Sequence, residues 1–500
     1  MSSVQTVDVS PKVAKFLSEG PKKLFIGGKF IESASGETLD SVNPSTGEVL
    51  VSVYAAGKED VDRAVEAAEK AFQGDWKKIT PSERGRLIWK LADLMEENLE
   101  ELAQLESLDG GKLISHARAV DVPLAIDHFR YYAGWATKIM GQTIENSAGQ
   151  YMLTYTRREP IGVVGQIIPW NFPLLMAAWK LGAALATGNV VILKSAEQTP
   201  LSALYLGQLV QEAGFPPGVV NLITGYGKTA GEAIVQNPRI RKVAFTGSTA
   251  VGKRIMEQAS GNLKRVSLEL GGKSPNIIFP DADFSKAIPG ALMGIFFNQG
   301  QVCTAGSRLF VHKKVYDNVM ADLTRYASNM KQGPGMDETS EIGPLVSSQQ
   351  FERVKSYLQK GHEEGAKSLT GGQPLDRSGF FIPPTVFSGV DDNMTIAREE
   401  IFGPVIAAMP FDDEEQVADV IRRANDTEYG LAAGVWTTDV RKAHRVAHEL
   451  EAGTVWVNCY NVLDASIPFG GYKQSGFGRE MGSEALELYT QVKSVIVDLN

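Results

Sequence analysis

Apolar residues recur along the early part of this chain at the spacing of a single helix face. From Lys58 to Phe72, the positions Val61, Ala64, Val65, Ala68, Ala71 and Phe72 form one stripe with charges opposite, which predicts an amphipathic surface helix. Thr80-Pro81-Ser82-Glu83 then reads as a helix start. Thr80 caps, Pro81 sits where no backbone N–H is required, and Glu83 completes a capping box. Leu87, Ile88, Leu91, Leu94, Met95, Leu99, Leu102 and Leu105 carry one face onward to Gly110-Gly111, so the pattern predicts an unbroken helix ending there. Residues 1–22 are polar and predict a loosely ordered leader.

Between Gln142 and Glu159 the period changes to two, with Tyr151, Leu153 and Tyr155 alternating after a turn at Gly149. A second β-prone run, Val492–Leu499, closes the chain. Neither run has enough apolar residues for its own core, and exposed strand edges of this kind are paired by another domain or subunit, so both are expected to be oligomerisation arms. From Ile161 onward short β-branched runs alternate with amphipathic segments: 162–169 then 173–187, 189–194 then 200–213, 219–224 then 226–235, and 242–245 then 248–259. This is the βα pattern of a buried parallel sheet, whose ligands gather along the edge formed by the strand ends. A second series follows Glu269: strand 276–279, helix 284–297, strand 308–312 and helix 316–330. Later come helices near 414–424 and 440–450, strand 453–458 and a glycine-rich loop at 468–478. The fold class is α/β in two parallel-sheet domains plus small β arms, with the domain boundary near 270–273.

Composition narrows the functions such a chain can serve. The 500 residues are 43% hydrophobic and 22% charged with a net charge of −9, which disfavours nucleic acid or an anionic membrane as a partner. No apolar run approaches the roughly eighteen residues of a membrane span, and no secretory h-region occurs near the start, so a cytoplasmic location is expected. Two cysteines, Cys303 and Cys459, make no disulfide framework.

Cys303 follows Asn298-Gln299-Gly300-Gln301-Val302 at the end of a helix pattern, polar company that a packing cysteine does not need and a nucleophile does. Glu269 ends the apolar strand Val266-Ser267-Leu268; a carboxylate desolvated there has its pKa raised into the range of a general base. Asn171, at another strand end, offers amide hydrogens to a developing oxyanion or caps the helix that follows. Thr246-Gly247-Ser248 sits at a strand-to-helix junction and presents a helix N-terminus to a pyrophosphate, while Glu197 suits ribose hydroxyls and repels a 2′-phosphate. Gly225-Tyr226-Gly227 lacks the full dinucleotide spacing. His444 and His448 share a helix face without a third ligand in sight, so no metal site is expected.

Taken together, Phe245 to Thr249, Leu268 to Lys273, Asn298 to Cys303, Glu399 to Pro404 and Pro468 to Gly471 resemble the motifs of the aldehyde dehydrogenase superfamily, in order and over about residues 23–498. The similarity is greatest to the class 1/2 branch, which includes bacterial broad-range and retinal-oxidising members. What the resemblance implies is an NAD-dependent enzyme, with NADP used less efficiently, that oxidises an aldehyde to a carboxylic acid through a cysteine thiohemiacetal and thioester. It implies Cys303 as nucleophile, Glu269 as general base and Asn171 as oxyanion donor. It implies Lys194 and Glu197 at the adenine ribose, Ser248 at the pyrophosphate, and Glu400 with Phe402 at the nicotinamide ribose. Ile168, Pro169, Trp170, Gly227, Phe245 and Gly247 would complete the cofactor groove. Ser195 stands where many members have proline, leaving Lys194 and Glu197 intact.

By position the substrate tunnel would be lined near Leu124, Phe172, Met176 and Trp179, with Phe297, Leu463 and Phe469 completing it. These apolar walls favour aliphatic, aromatic or polyene aldehydes, retinal included. A CoA-acylating relative is disfavoured because that branch lacks the base that Glu269 matches. The resemblance further implies residues 1–141 with 160–270 as the NAD-binding domain, 271–485 as the catalytic domain, 142–159 with 486–500 as arms, and a homotetramer.

Overall fold

The computed structural model describes residues 9–412 and 417–500. Its centre is a pair of sheets. The first has eight strands, and its parallel heart runs in spatial order Val220–Ile223, Val190–Lys194, Val163–Ile167, Lys242–Thr246, Arg265–Glu269. These strands read as continuous β-branched runs because helices cover both faces; Val163–Ile167 and Val190–Lys194 are buried at every position. A hairpin of Leu24–Ile26 and Lys29–Ile31 extends one edge, and Gly476–Phe477 pairs antiparallel with Arg265–Glu269 at the other. The chain therefore returns across the expected boundary near residue 270 to finish the first sheet.

The second sheet has seven strands, in order Lys367–Thr370, Thr385–Ser388, Val405–Phe411, Arg308–His312, Pro275–Ile278, Ala432–Trp436, Thr454–Val457; all pairs are parallel except the first. Its own apolar cluster is built on residues such as Ile277, Phe279, Phe310, Ala407 and Val435. The expected strand 308–312 is found with those bounds, and the expected helices appear as Phe284–Phe296, Tyr316–Asn329 and Val440–Glu449. Of the helix expected near 414–424, residues 413–416 lie outside the described part, and Ala418–Asn425 is helical.

Two expectations are corrected. The helix starting at Pro81, with Thr80 and Glu83 in the predicted capping box, ends at Glu97, and a second helix runs Leu99–Gly110. Asn98 breaks the line: its Nδ2 donates to the Leu94 carbonyl at 2.8 Å, closing the first helix, while its Oδ1 accepts from Lys12 Nζ and Tyr205 OH, both at 3.0 Å. The apolar stripe continues through the break because both helices bury the same side. Of the expected loose leader, residues 1–8 lie outside the described part, and residues 11–18 are helical rather than loose. Ser10 caps a helix, Pro11–Ser18, through the Val13 N–H, and Phe16 packs edge-on against Tyr205 with ring centroids 5.5 Å apart.

The two expected arms pair with each other: Met152–Pro160 and Thr490–Asp498 form a nine-residue antiparallel ladder, Met152 opposite Asp498 and Pro160 opposite Thr490. The ribbon leaves Tyr151, Leu153, Val492, Ile496 and Leu499 exposed. Among the described residues no helix is long and apolar enough to cross a membrane.

Candidate active site

A cavity of ≈ 620 Å³ opens between the ends of the two sheets, and Cys303, Asn171, Ser248, Glu400 and Phe402 all line it. The first sheet contributes the loop after Val163–Ile167. There Pro169 and Trp170 face the cavity, the Ile168 N–H donates to the Lys194 carbonyl at 3.1 Å, and Trp170 stands edge-on to Phe402 at 5.2 Å.

The turn from Glu269 to Lys273 joins the two halves. The Gly272 N–H donates to Glu400 Oε1 at 2.9 Å, and a side chain at Gly271 would bring a Cβ within 2.5 Å of Glu400 Oε2. A Cβ at Gly272 would strike the carbonyl oxygen of Cys303. At Gly272 the contact is with backbone and only glycine admits it, so this position brings the cysteine loop against the turn, while Gly271 leaves room for the Glu400 carboxylate.

Cys303 leaves the helix Phe284–Phe296 through a left-handed turn: Asn298 (φ 47°, ψ 38°), Gln299 (φ 57°, ψ 29°) and Gly300 (φ 72°). Two consecutive non-glycine residues there cost roughly 1–3 kcal/mol each, held by the surroundings. The carbonyl of Asn298 accepts from Gln301 N–H at 3.0 Å, and Gln301 Oε1 accepts from Val346 N–H at 3.0 Å. Asn171 Nδ2 donates to the Gln301 carbonyl at 2.8 Å, which fixes its carboxamide beside the cysteine loop.

Burial pushes the Cys303 thiol up to about 12, with the Glu400 and Glu269 carboxylates raising it further and the backbone N–H groups of Thr304 and Cys303 offsetting part. Glu269 does not itself line the cavity; the two residues after it, Leu270 and Gly271, do. Its side chain lies beside the glycine-rich return loop; a Cβ at Gly470 would lie 2.8 Å from its Oε1. Burial, then the negative charge of Glu480, raises the Glu269 carboxyl well above the usual carboxylate range, while Lys180 and Arg479 pull it back. Lys180 ion-pairs with Glu480 and donates to Thr246 Oγ1 at 2.7 Å. Sequence reasoning missed this pair: its members stand 300 residues apart, and the only signals were a lysine in an otherwise apolar helix and a glutamate in the glycine-rich loop.

Along the first sheet's edge, Ser248 caps the helix Thr249–Ala259 by accepting from Val251 N–H at 3.4 Å, so the helix N-terminus faces the cavity. Gly247 packs against the Phe245 ring too closely for a Cβ, and its N–H donates to the Glu269 carbonyl at 3.0 Å. Lys194, Glu197 and Gly227 cluster farther along the edge: Lys194 Nζ lies 3.8 Å from Glu197 Oε2, and Gly227 N–H donates to Glu197 Oε1 at 2.5 Å. Burial lowers the Lys194 amine, and Glu197 opposes that. In the same loop Ser195 Oγ, Gln198 Oε1 and Thr199 Oγ1 are buried without a protein hydrogen-bond partner. His444 and His448 lie exposed on their helix, away from this edge.

The sequence profile of the aldehyde dehydrogenase family matches residues 30–495. The chain belongs to this family. It is 61% identical over 500 residues to DhaS of Bacillus subtilis (strain 168), each chain covered in full. It is 53% identical to human Retinal dehydrogenase 2, over 95% of this chain and 92% of that one. The NAD+ complex of the aldehyde dehydrogenase from Bacillus cereus superposes with a TM-score of 0.97 at 55% identity, covering 99% of this chain and 100% of that one. As an aldehyde dehydrogenase the protein oxidises an aldehyde to its carboxylic acid, and its mixed α/β fold is that of the family.

The electrostatics around Glu269 give a test with opposite signs. Glu480→Gln removes a neighbouring negative charge, lowers the Glu269 pKa and moves the acidic limb of the turnover pH profile to lower pH. Lys180→Met removes the compensating positive charge and moves the same limb to higher pH. Steady-state rates from pH 5 to 9 measure both shifts, and displacement of the two limbs in one direction excludes this arrangement.

Proposed function

We propose that this aldehyde dehydrogenase uses NAD and that Cys303, Asn171 and Glu269 carry the chemistry, as the class 1/2 branch does. The observation that supports the reading most is that a half-buried thiol and a fixed carboxamide line one apolar cavity, with the desolvated carboxylate of Glu269 on the turn whose next two residues, Leu270 and Gly271, line it too.

The chain fits the cofactor. A capped helix N-terminus at Ser248 suits the pyrophosphate. The Lys194–Glu197 pair, with three unpartnered hydrogen-bonding atoms in its loop, suits the adenine ribose. Glu400, held by Gly272 N–H, suits the other ribose, beside Phe402 and Trp170. Ile168, Pro169, Gly227, Phe245 and Gly247 complete the groove. Glu197 repels a 2′-phosphate, so NADP is the poorer cofactor.

Cys303 attacks as the thiolate, its proton having passed to water, and its sulfur bonds to the aldehyde carbon. The former carbonyl oxygen becomes an oxyanion, held by Asn171 Nδ2 and the Cys303 N–H; one such donor lowers the barrier by about 3 kcal/mol. NAD, when bound, supplies the acceptor for the hydride that this carbon loses as the thioester forms. Glu269 then takes a proton from water, the oxygen attacks the thioester, and the acid leaves as the thiolate reforms. Glu480 raises and Lys180 lowers the proton affinity of Glu269 in this role.

The far wall of the cavity is Leu124, Phe172, Met176 and Trp179 facing Phe297, Leu463 and Phe469. Such walls offer no partner to a phosphate or a second carboxylate, so the substrates are apolar aliphatic, aromatic or polyene aldehydes, retinal among them. Residues 1–141 with 160–270 serve as the cofactor domain and 271–485 as the catalytic domain. The ribbon formed by 142–159 and 486–500 joins subunits into a homotetramer in the cytoplasm.

Two tests follow. Cys303→Ala should abolish oxidation across a panel of acetaldehyde, decanal, benzaldehyde and retinal while NAD still quenches tryptophan fluorescence; retained turnover removes the nucleophile assignment. In the wild type, higher kcat/KM for decanal than for a dicarboxylic semialdehyde bears out the apolar tunnel. Replacing both Val492 and Ile496 with Asp should convert tetramer to smaller species in sedimentation velocity with folded secondary structure retained. An unchanged sedimentation coefficient removes the arm from the assembly.

A further inference from the structure

Asn298 lies in the left-handed turn before the cysteine, is 3% exposed, and bears a carboxamide directed away from its own helix. Its Nδ2 donates to the backbone carbonyl of Asn171 at 3.0 Å and to the carbonyl of Gln301 at 3.4 Å. The Gln301 carbonyl is also the acceptor for Asn171 Nδ2, at 2.8 Å. One asparagine therefore grips the other at two places: its backbone, and the carbonyl that orients its side chain. Asn171 has two amide hydrogens; Gln301 occupies one, which leaves a single hydrogen for the cavity.

The two asparagines come from different sheets and stand 127 residues apart. An ordinary helical backbone at residue 298 would continue the helix Phe284–Phe296 and carry the carboxamide elsewhere, so the left-handed conformation is what makes the grip. We propose that Asn298 is a positioning residue for the reaction: it aims the Asn171 amide at the oxyanion and locks the cysteine loop to the cofactor-side sheet at that point. This rests on Asn171 being the oxyanion donor. Asn298 itself touches neither aldehyde nor cofactor, so its effect passes through Asn171.

The test is a double-mutant cycle on the full-length enzyme, with kcat and KM for acetaldehyde and decanal measured for Asn298→Asp, Asn171→Ala and the pair. Asn298→Asp keeps the shape but turns a donor into an acceptor facing two carbonyls. It should lower kcat by roughly 10- to 100-fold, less than the loss of a whole oxyanion donor, with KM changed by less than about threefold. In the Asn171→Ala background it should add less than about twofold, because the group it positions is gone. Full additivity in the cycle, or an unaltered kcat in Asn298→Asp, overturns the proposal. A wild-type rate in Asn171→Ala alone overturns instead the oxyanion reading beneath it. Should Asn298→Asp not fold, Asn298→Ala removes the same donor and carries the same expectations; its Cys303 alkylation rate should stay within about twofold of wild type, since Gln301 and Val346 still hold the loop.

Discussion

Two glycines, Gly271 and Gly272, set the distance between the halves of this molecule. The bare backbone of Gly272 lets the Cys303 carbonyl approach where any side chain would collide, and Gly271 leaves room for the Glu400 carboxylate. The preceding residue is the buried Glu269, and the following sheet begins at Pro275. A single short turn thus fixes a carboxylate from the first sheet, a cysteine loop from the second and a hydrogen-bonded carboxylate that faces both. Larger residues there would separate groups whose function depends on proximity, even if each sheet folded unchanged.

The same closeness creates an electrostatic problem that the structure puts to use. Burying carboxylates and a thiol together raises all of their proton affinities: Glu400 is pushed up to about 7 by burial, and Cys303 higher still. Of these groups, Glu400 exchanges its proton near neutral pH. Lys180, paired with Glu480, opposes the rise that burial and Glu480 impose on Glu269. Lys273, buried without a hydrogen-bond partner and lowered to about 7 by burial and by Arg308, belongs to the same crowded interior.

Much of this arrangement is legible in the linear sequence. β-branched runs mark the buried strands, and the capping box at Thr80 marks a helix start to the residue. The residues of the cavity sit in short motifs because strand ends and tight turns demand particular residues locally. What the sequence conceals depends on partners far away. Asn98 interrupts an unbroken apolar stripe because of contacts with Leu94, Lys12 and Tyr205, not because of its neighbours' pattern. The polar leader hides a helix whose only signs are Ser10-Pro11 as a start and Val13, Phe16 and Leu17 at helical spacing. The left-handed path through Asn298 and Gln299 has no local signature beyond the following glycine, since it is imposed by Asn171, Gln301 and Val346.

The central claim is that a thiol at Cys303 and a base at Glu269 divide the reaction, one forming the acyl bond and the other breaking it. Glu269→Gln separates them, because the thioester forms and is then hydrolysed slowly. Mass spectrometry of this variant, mixed with NAD and decanal and quenched within seconds, should show a decanoyl mass increment on the Cys303 peptide and none when NAD is omitted. Rapid NADH formation with an unmodified Cys303, or the acyl group on Cys459, would contradict the account.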